Sequence, residues 1–318
     1  MRSGRWSFHS PSLALLEDAG PFDHSAYRDS WIDAFPEWRD VSFAARMADG
    51  TRAAVSLLQR DRIAESIPHN YGTLVASRPL GEREAEAFLE QARAACGARQ
   101  LIARSVPLRP TPGTCHSGAR VRGWSSVVYI EKGGVLEPRY GQSARHSIRK
   151  AAGAGAEILP TSDPAGFLPL YATASSNHWM QYPERLIRSL ASAGIVRFFD
   201  VRLGSDCVAS VLVLTSRNHW TAWLAAQNER GRSIDANYFA VGQMLAAAQR
   251  ASVPGVNLGI SLGMPGVAHF KRQFDCIEIP LVEYRLAPWS ERARDQAGII
   301  ARRGARRIGR VLNRRRDP

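Results

Sequence analysis

Along this chain the apolar residues recur at every second position in some stretches and every 3.6 positions in others, and the two periods alternate in an order that occurs twice. Residues 41–59, VSFAARMADGTRAAVSLLQ, are two alternating runs around Asp49-Gly50, which predicts a hairpin. Residues 81–98 place Ala85, Phe88, Leu89, Ala92 and Cys96 on one helical face, and a short strand RQLIARSV follows. A Pro/Gly-rich loop then leads to a further strand at 123–131, GWSSVVYIE. The second pass is fuller. It runs helix (140–155), strand AEILP, two helices (163–179 and 183–194), then three strands IVRFFDVRL, CVASVLVLTS and HWTAWLAAQ joined by tight turns. A helix (235–252), the strand GVNLGI, the segment GMPGVAHFKRQFD and a last strand IEIPLVEYRLA complete it. A chain patterned this way folds as mixed α/β with mostly antiparallel sheets flanked by helices.

Its 318 residues allow one large domain or two ordinary ones. The pattern divides them into an N-terminal extension (1–20), a first half (21–139), a second half (140–288) and a tail (289–318). No apolar run approaches the ~20 residues of a membrane span, and the polar start MRSGRWSFHSPS lacks a secretory apolar segment, so a cytoplasmic protein is expected. Cys96, Cys115, Cys207 and Cys276 lie far apart, with no CxxC pair or histidine at ligand spacing, which predicts reduced thiols and no metal site. Walker, HExxH and GxSxG sequences are absent. Nucleotide hydrolase, zinc protease and α/β-hydrolase are thereby disfavoured.

The net charge is +13, and ten arginines against Glu291, Asp295 and Asp317 give the tail +7 of it. Ile300, Gly304, Ile308, Val311 and Leu312 lie near helical spacing among those arginines. That pattern suits a helix lying on an anionic membrane, which would place the protein peripherally on the inner face of the cell membrane; an RNA-binding arm and a mobile basic tail share the composition.

Strand, two helices, three antiparallel strands, helix, strand, short helix, strand resembles the order of a GNAT-type acyltransferase. Two such halves resemble the Fem family and the acetyltransferase-like proteins related to it, in which the GNAT fold is duplicated. Three stretches carry the resemblance: YGQSARHSIRKAAGAGAEI, LYATASSNHWMQYPERLIRSL and, most specifically, GVNLGISLGMPGVAHFKRQFD. The sequence departs from the family's pattern at Asn257, where an acid is usual, and at Asp275, where a glycine is frequent. The resemblance implies transfer of an acyl group, with acyl-coenzyme A as co-substrate, to an amine or hydroxyl of a small-molecule or cell-envelope or polysaccharide-precursor acceptor. Fem proteins proper imply the alternative donor, aminoacyl-tRNA. A non-catalytic binding module that retains the fold is the third reading.

Candidate residues follow. Only three lysines occur, Lys132, Lys150 and Lys271, in a chain that otherwise prefers arginine. Lys271, between Phe270 and Phe274, could bind a carrier phosphate or a developing oxyanion, and the resemblance places its counterpart at the acyl carrier's end. The plain alternative is a lysine lying over aromatic rings. Asn228, Arg230, Gly231, Arg232 and Ser233 sit where GNAT proteins hold pyrophosphate on backbone amides, and a capped polar loop is the competing reading. His178 is the candidate general base, with Trp179 and Tyr182 as stacking surfaces for the acceptor, or else all three simply cover a helix end. Arg145 and Arg149 share a helical face beside Lys150 and could guide a phosphate-bearing substrate, although a solvated basic face reads the same way. Ser261, just after GVNLGI, is a further substrate-side candidate.

Overall fold

The computed structural model describes residues 13–17, 20, 22–66, 74–105, 119–131, 134–174, 181–261 and 263–287. The first part of the chain forms α1 (Ala14–Glu17), α2 (Ser25–Ala34), β1 (Arg39–Asp40), β2 (Phe43–Arg46), β3 (Arg52–Val55), β4 (Leu58–Arg60), β5 (Ile63–Glu65), β6 (Leu74–Ala76), α3 (Glu82–Ala95), β7 (Gln100–Ser105) and β8 (Ala119–Tyr129). A 3-10 turn at Glu137–Arg139 leads into α4 (Gln142–Gly153), β9 (Glu157–Thr161), α5 (Phe167–Ala174), α6 (Glu184–Ser192), β10 (Val196–Leu203), β11 (Asp206–Thr215) and β12 (Trp220–Gln227). Then come α7 (Glu229–Ser233), α8 (Ala236–Arg250), β13 (Gly255–Ile260), α9 (Pro265–Arg272) and β14 (Ile277–Leu286). This is the expected mixed α/β fold, a large and mostly antiparallel sheet flanked by helices.

Eleven strands form one sheet in the order β1-β4-β5-β7-β14-β8-β13-β12-β11-β10-β9, and β2-β3-β6 form a small second sheet. The middle of that order is an exchange. The last strand, β14, lies between β7 and β8, pairing antiparallel with both, while β8 lies against β13 of the later part. Each pass of the pattern is thus completed by a strand from the other.

Alternation explains which residues each face buries. Val211 and Val213 of β11 face a core with Ala240, Met244 and Ala248 of α8, whereas Leu212 and Leu214 face one with Leu186 and Leu190 of α6 and Tyr27 and Trp31 of α2. A third core lies beneath α3, where Phe88 and Leu89 meet Tyr284 and Leu286 of β14. Helices α4 and α8 cross closely because Gly242 has no side chain; a Cβ there would stand 2.8 Å from Ile148 Cδ1.

The hairpin expected at 41–59 forms around Asp49-Gly50, with Gly50 at φ +85 and Thr51 N–H donating to Asp49 Oδ1 at 2.8 Å. Its second run does not continue as one strand. Leu57 belongs to the core under α3 and Leu58 to the core under α2, so the chain changes sheets between them.

Candidate functional site

In a twisted sheet a parallel pair stays together only while its ladder continues. β12 and β13 pair at two positions alone, Trp220 with Val256 and Thr221 with Asn257, and both strands then run on apart. Each carries an irregularity beside the opening. In β12 the register passes from Leu224 to Ala222 and skips Trp223. In β13 it passes from Asn257 to Ile260, with Gly259 at φ +80. Such bulges bend a strand and end its pairing. Asn257, buried, fixes the bend: its Oδ1 accepts from the Gly259 amide and from Ser125 Oγ, both at 2.7 Å. The earlier counterpart, β5 with β7, pairs at three successive positions, and Ser66 N–H extends the contact to Ile102 O. Among the described residues, the later parallel pair is the splayed one.

At the end of β13 the left-handed Gly263 and Pro265 start α9. Phe270 and Phe274 turn toward Tyr238, at ring separations of 4.6 and 5.9 Å, and Tyr140 closes on Phe274 at 5.3 Å. Lys271 points elsewhere. Its Nζ donates to the carbonyl of Ile260 at 2.9 Å, at the end of β13 where the pair has parted. The residue is 7% exposed, and among the described residues no carboxylate forms an ion pair with it. Burial pulls the ammonium's pKa down to about 8, opposed slightly by the Cys276 thiol. A buried cation with one neutral acceptor retains the capacity to bind an anion.

The other candidates divide between this place and elsewhere. Ser261 follows Ile260 directly, and its carbonyl accepts from Met264 N–H at 2.8 Å, so it lies beside Lys271's anchor. Arg145 is one turn into α4, whose preceding Gly141 donates to Gln273 O at 2.8 Å, close after Lys271 in the chain; its guanidinium donates to Pro138 O at 3.0 Å. Arg149 Nε donates to Arg145 O at 3.2 Å. Lys150 and Ser147 both bind Asp235 Oδ2, at 3.0 and 3.2 Å, which ties α4 to the start of α8.

Asn228, Arg230, Gly231, Arg232 and Ser233 form α7 and its cap rather than an open loop. Gly231 N–H donates to Asn228 Oδ1 at 2.9 Å and Arg232 N–H to Asn228 O at 3.0 Å. Ser233 Oγ donates to Arg230 O at 2.8 Å, Arg230 pairs with Asp206 at 2.7 Å, and Arg232 reaches Gln227 O at 3.4 Å. Glycine at 231 has a packing reason: a Cβ would stand 2.3 Å from Val208 O on β11.

Tyr182 is buried, its ring 4.5 Å from Trp223 and 6.1 Å from Trp31, so its faces pack within the protein. His178 and Trp179 lie outside the described residues. Asp275, where the resemblance expects a glycine, has the left-handed φ of +54 that glycine favours, and its carboxylate meets Arg139 at 2.6 Å. Ser125 is not recognisable from sequence as Asn257's partner, because the two are 132 residues apart. Among the described residues there is no group of three or more potential metal ligands, and no helix long and apolar enough to cross a membrane.

Residues 142–272, which contain the splayed strands and Lys271, match the family model described as an acetyltransferase (GNAT) domain. Over those residues the chain is similar to a GNAT domain. Its fold is also shared with solved structures. A crystal structure of FemX has a TM-score of 0.63 at 12% identity, over 86% of this chain and 95% of that one. The C-terminal domain of a putative lysylphosphatidylglycerol synthetase from Agrobacterium fabrum has 0.54 at 13%, over 85% and 88%. A tandem GNAT protein from the clavulanic acid biosynthesis pathway has 0.50 at 12%, over 86% and 93%. No curated protein matches the sequence. The matched GNAT domain is of an acyltransferase kind, and identities this low describe fold rather than substrate.

Proposed function

We propose that this protein transfers an acyl group from acyl-coenzyme A to an amine or hydroxyl of a cell-envelope or polysaccharide precursor, in the cleft where β12 and β13 part. The observation that carries the reading is the buried Lys271 ammonium, which among the described residues has no carboxylate partner, at the end of β13. The acceptor's nitrogen or oxygen attacks the thioester carbonyl and gives its proton to a base, for which His178 is the candidate. Charge gathers on the carbonyl oxygen, where the ammonium stabilises it; the carbon–sulfur bond then breaks and the thiolate leaves, taking up a proton. Ser261, Arg145 and Arg149 are the proposed substrate-side residues, and the arginine-rich residues from 289 onward would hold the protein at an anionic membrane surface.

One observation favours the second donor, aminoacyl-tRNA. The amides of Gly231 and Arg232, which a pyrophosphate would need, are already bonded to Asn228. A tRNA would be held through its backbone phosphates by distributed basic residues instead. Thermal melts with coenzyme A, acetyl-coenzyme A and aminoacyl-tRNA, followed by transfer assays with whichever stabilises the protein, test both readings. Stabilisation by none of them would remove both.

A further inference from the structure

The vertex of the splayed pair holds a polar group whose donors the proposed chemistry leaves unused. β12 and β13 meet at Trp220 with Val256 and at Thr221 with Asn257, and past that second pair the cleft opens toward their C-terminal ends. Trp220 and Val256 belong to the core with α8, so alternation turns Thr221 and Asn257 to the opposite face. Both are buried, at 3% and 2% exposure.

Strand β13 lies between β8 and β12, and the Asn257 amide is divided between them. Its Oδ1 accepts from Ser125 Oγ of β8 and from the Gly259 amide, both at 2.7 Å, which fills the oxygen's two lone-pair directions. The Gly259 partner is an N–H and can only donate, which fixes the atom it meets as the oxygen. Oxygen and nitrogen diverge from one carbon, so an oxygen held on the β8 side turns Nδ2 to the β12 side, where the strands part. Nδ2 carries two N–H groups, and among the described residues neither has an acceptor. Buried donors left unmatched by the protein are matched by an acceptor atom from outside it.

Direction along the cleft decides what supplies that atom. Lys271 is anchored at Ile260 O, which lies beyond Asn257 toward the open end, at the last residue of β13. A carrier arm enters from the open end, so with its thioester carbonyl at Lys271 the part that continues to the vertex is the acyl group. The stretch of bulged strand from Asn257 to Ile260 spans at most about 10 Å. We propose that Asn257 Nδ2 donates to an oxygen on the acyl group, a few bonds past the thioester carbonyl, and so selects hydroxyacyl or carboxyacyl groups over plain hydrocarbon ones. A hydrocarbon chain at the vertex would leave both donors without a partner, which is the arrangement that discriminates most strongly between such substrates. The proposal rests on the cleft between β12 and β13 being the place of transfer from acyl-coenzyme A.

The test uses the full chain and titration calorimetry with butyryl-, 3-hydroxybutyryl- and succinyl-coenzyme A, which match in carbon count and of which the first has no oxygen beyond its carbonyl. One of the oxygenated thioesters should bind about tenfold more tightly than butyryl-coenzyme A, or better, and which one does so tells hydroxyl from carboxylate. Asn257→Asp keeps an oxygen for Ser125 and Gly259 but replaces both N–H donors. In that variant the preference should vanish at neutral pH and return in part as acid protonates the new carboxyl and gives it an O–H to donate. A merely structural Asn257 would weaken all three ligands alike and leave their ratio unchanged. Equal affinities in the wild type, or a ratio that Asn257→Asp leaves unchanged at every pH, overturns the assignment. If the variant does not fold, the wild-type comparison decides by itself, since it needs no substitution. Binding of none of the three removes acyl-coenzyme A as donor and the assignment with it, whereas binding without preference removes the assignment and leaves the donor standing.

Discussion

Glu283, on the last strand, accepts a hydrogen bond at 3.0 Å from Arg104, which lies 179 residues earlier in the chain. That bond joins the exchanged strand to β7, and its partner from Arg122 joins it to β8. Glu283→Gln leaves two arginines facing a neutral amide over a buried position, and a loss of about 3 kcal/mol is expected. Urea unfolding measures it. A midpoint like that of wild type would mean that the network contributes nothing to the exchange.

Lys271→Ala should keep the fold and lower the transfer rate by about 10²-fold, the usual effect of removing one oxyanion donor. Lys271→Arg should restore only part, since a broad fork does not occupy the place of a point charge. With the lysine titrating near 8, wild-type rate should fall above that pH, and the arginine variant should lack this limb. The same lowered pKa makes unfolding harder as pH rises from about 8 to 10.5, because only the unfolded chain then holds the proton. A flat rate profile to pH 9.5 in the wild type would separate Lys271 from the chemistry.

His219 immediately precedes β12 and is buried, and burial alone lowers its pKa from 6.5 to about 4. Protons bind the unfolded state first, so stability is full above pH 6.5 and drains away as the pH falls toward 4, by about 3 kcal/mol. His219→Leu should abolish that part of the acid sensitivity. Equal slopes of unfolding free energy against pH for the two proteins would refute it.

Gly231→Ala pushes a methyl group into the Val208 carbonyl, and a loss of about 1–3 kcal/mol is expected. Because the Gly231 amide already serves Asn228, the KM for an acyl-coenzyme A donor should stay within about twofold of wild type. A large rise in KM at unchanged stability would restore the loop as a pyrophosphate grip.

Much of the fold was legible because periodicity is a local property. The face of Phe88, Leu89 and Ala92 in α3, the hairpin at Gly50 and the successive strands β10, β11 and β12 each follow from a dozen residues or so. Order alone could not reveal that β14 enters between β7 and β8, since nothing in IEIPLVEYRLA names its neighbours. Short strands such as β5 and β6, three residues each, carry too few alternations to register. At the candidate site, the rarity of lysine singled out Lys271, but its bond to Ile260 O and its lack of a carboxylate partner among the described residues are matters of distance. Glycine serves close approach of any kind, so sequence alone does not separate an anion loop at Asn228 and Gly231 from close packing, and the group that approaches Gly231 is the Val208 carbonyl.

The strand exchange also sets a timetable for the growing chain. When β8 has left the ribosome its place beside β7 is not its own, and the strand that belongs there is translated about 150 residues later, roughly eight to thirty seconds at ordinary elongation rates. During that interval β7 and β8 both present unpaired backbone edges, which are templates for association with other chains. Newly made protein should therefore depend on chaperones for a period fixed by the position of β14 in the sequence, and slowing translation before that strand should lower the yield of native protein more than slowing it after.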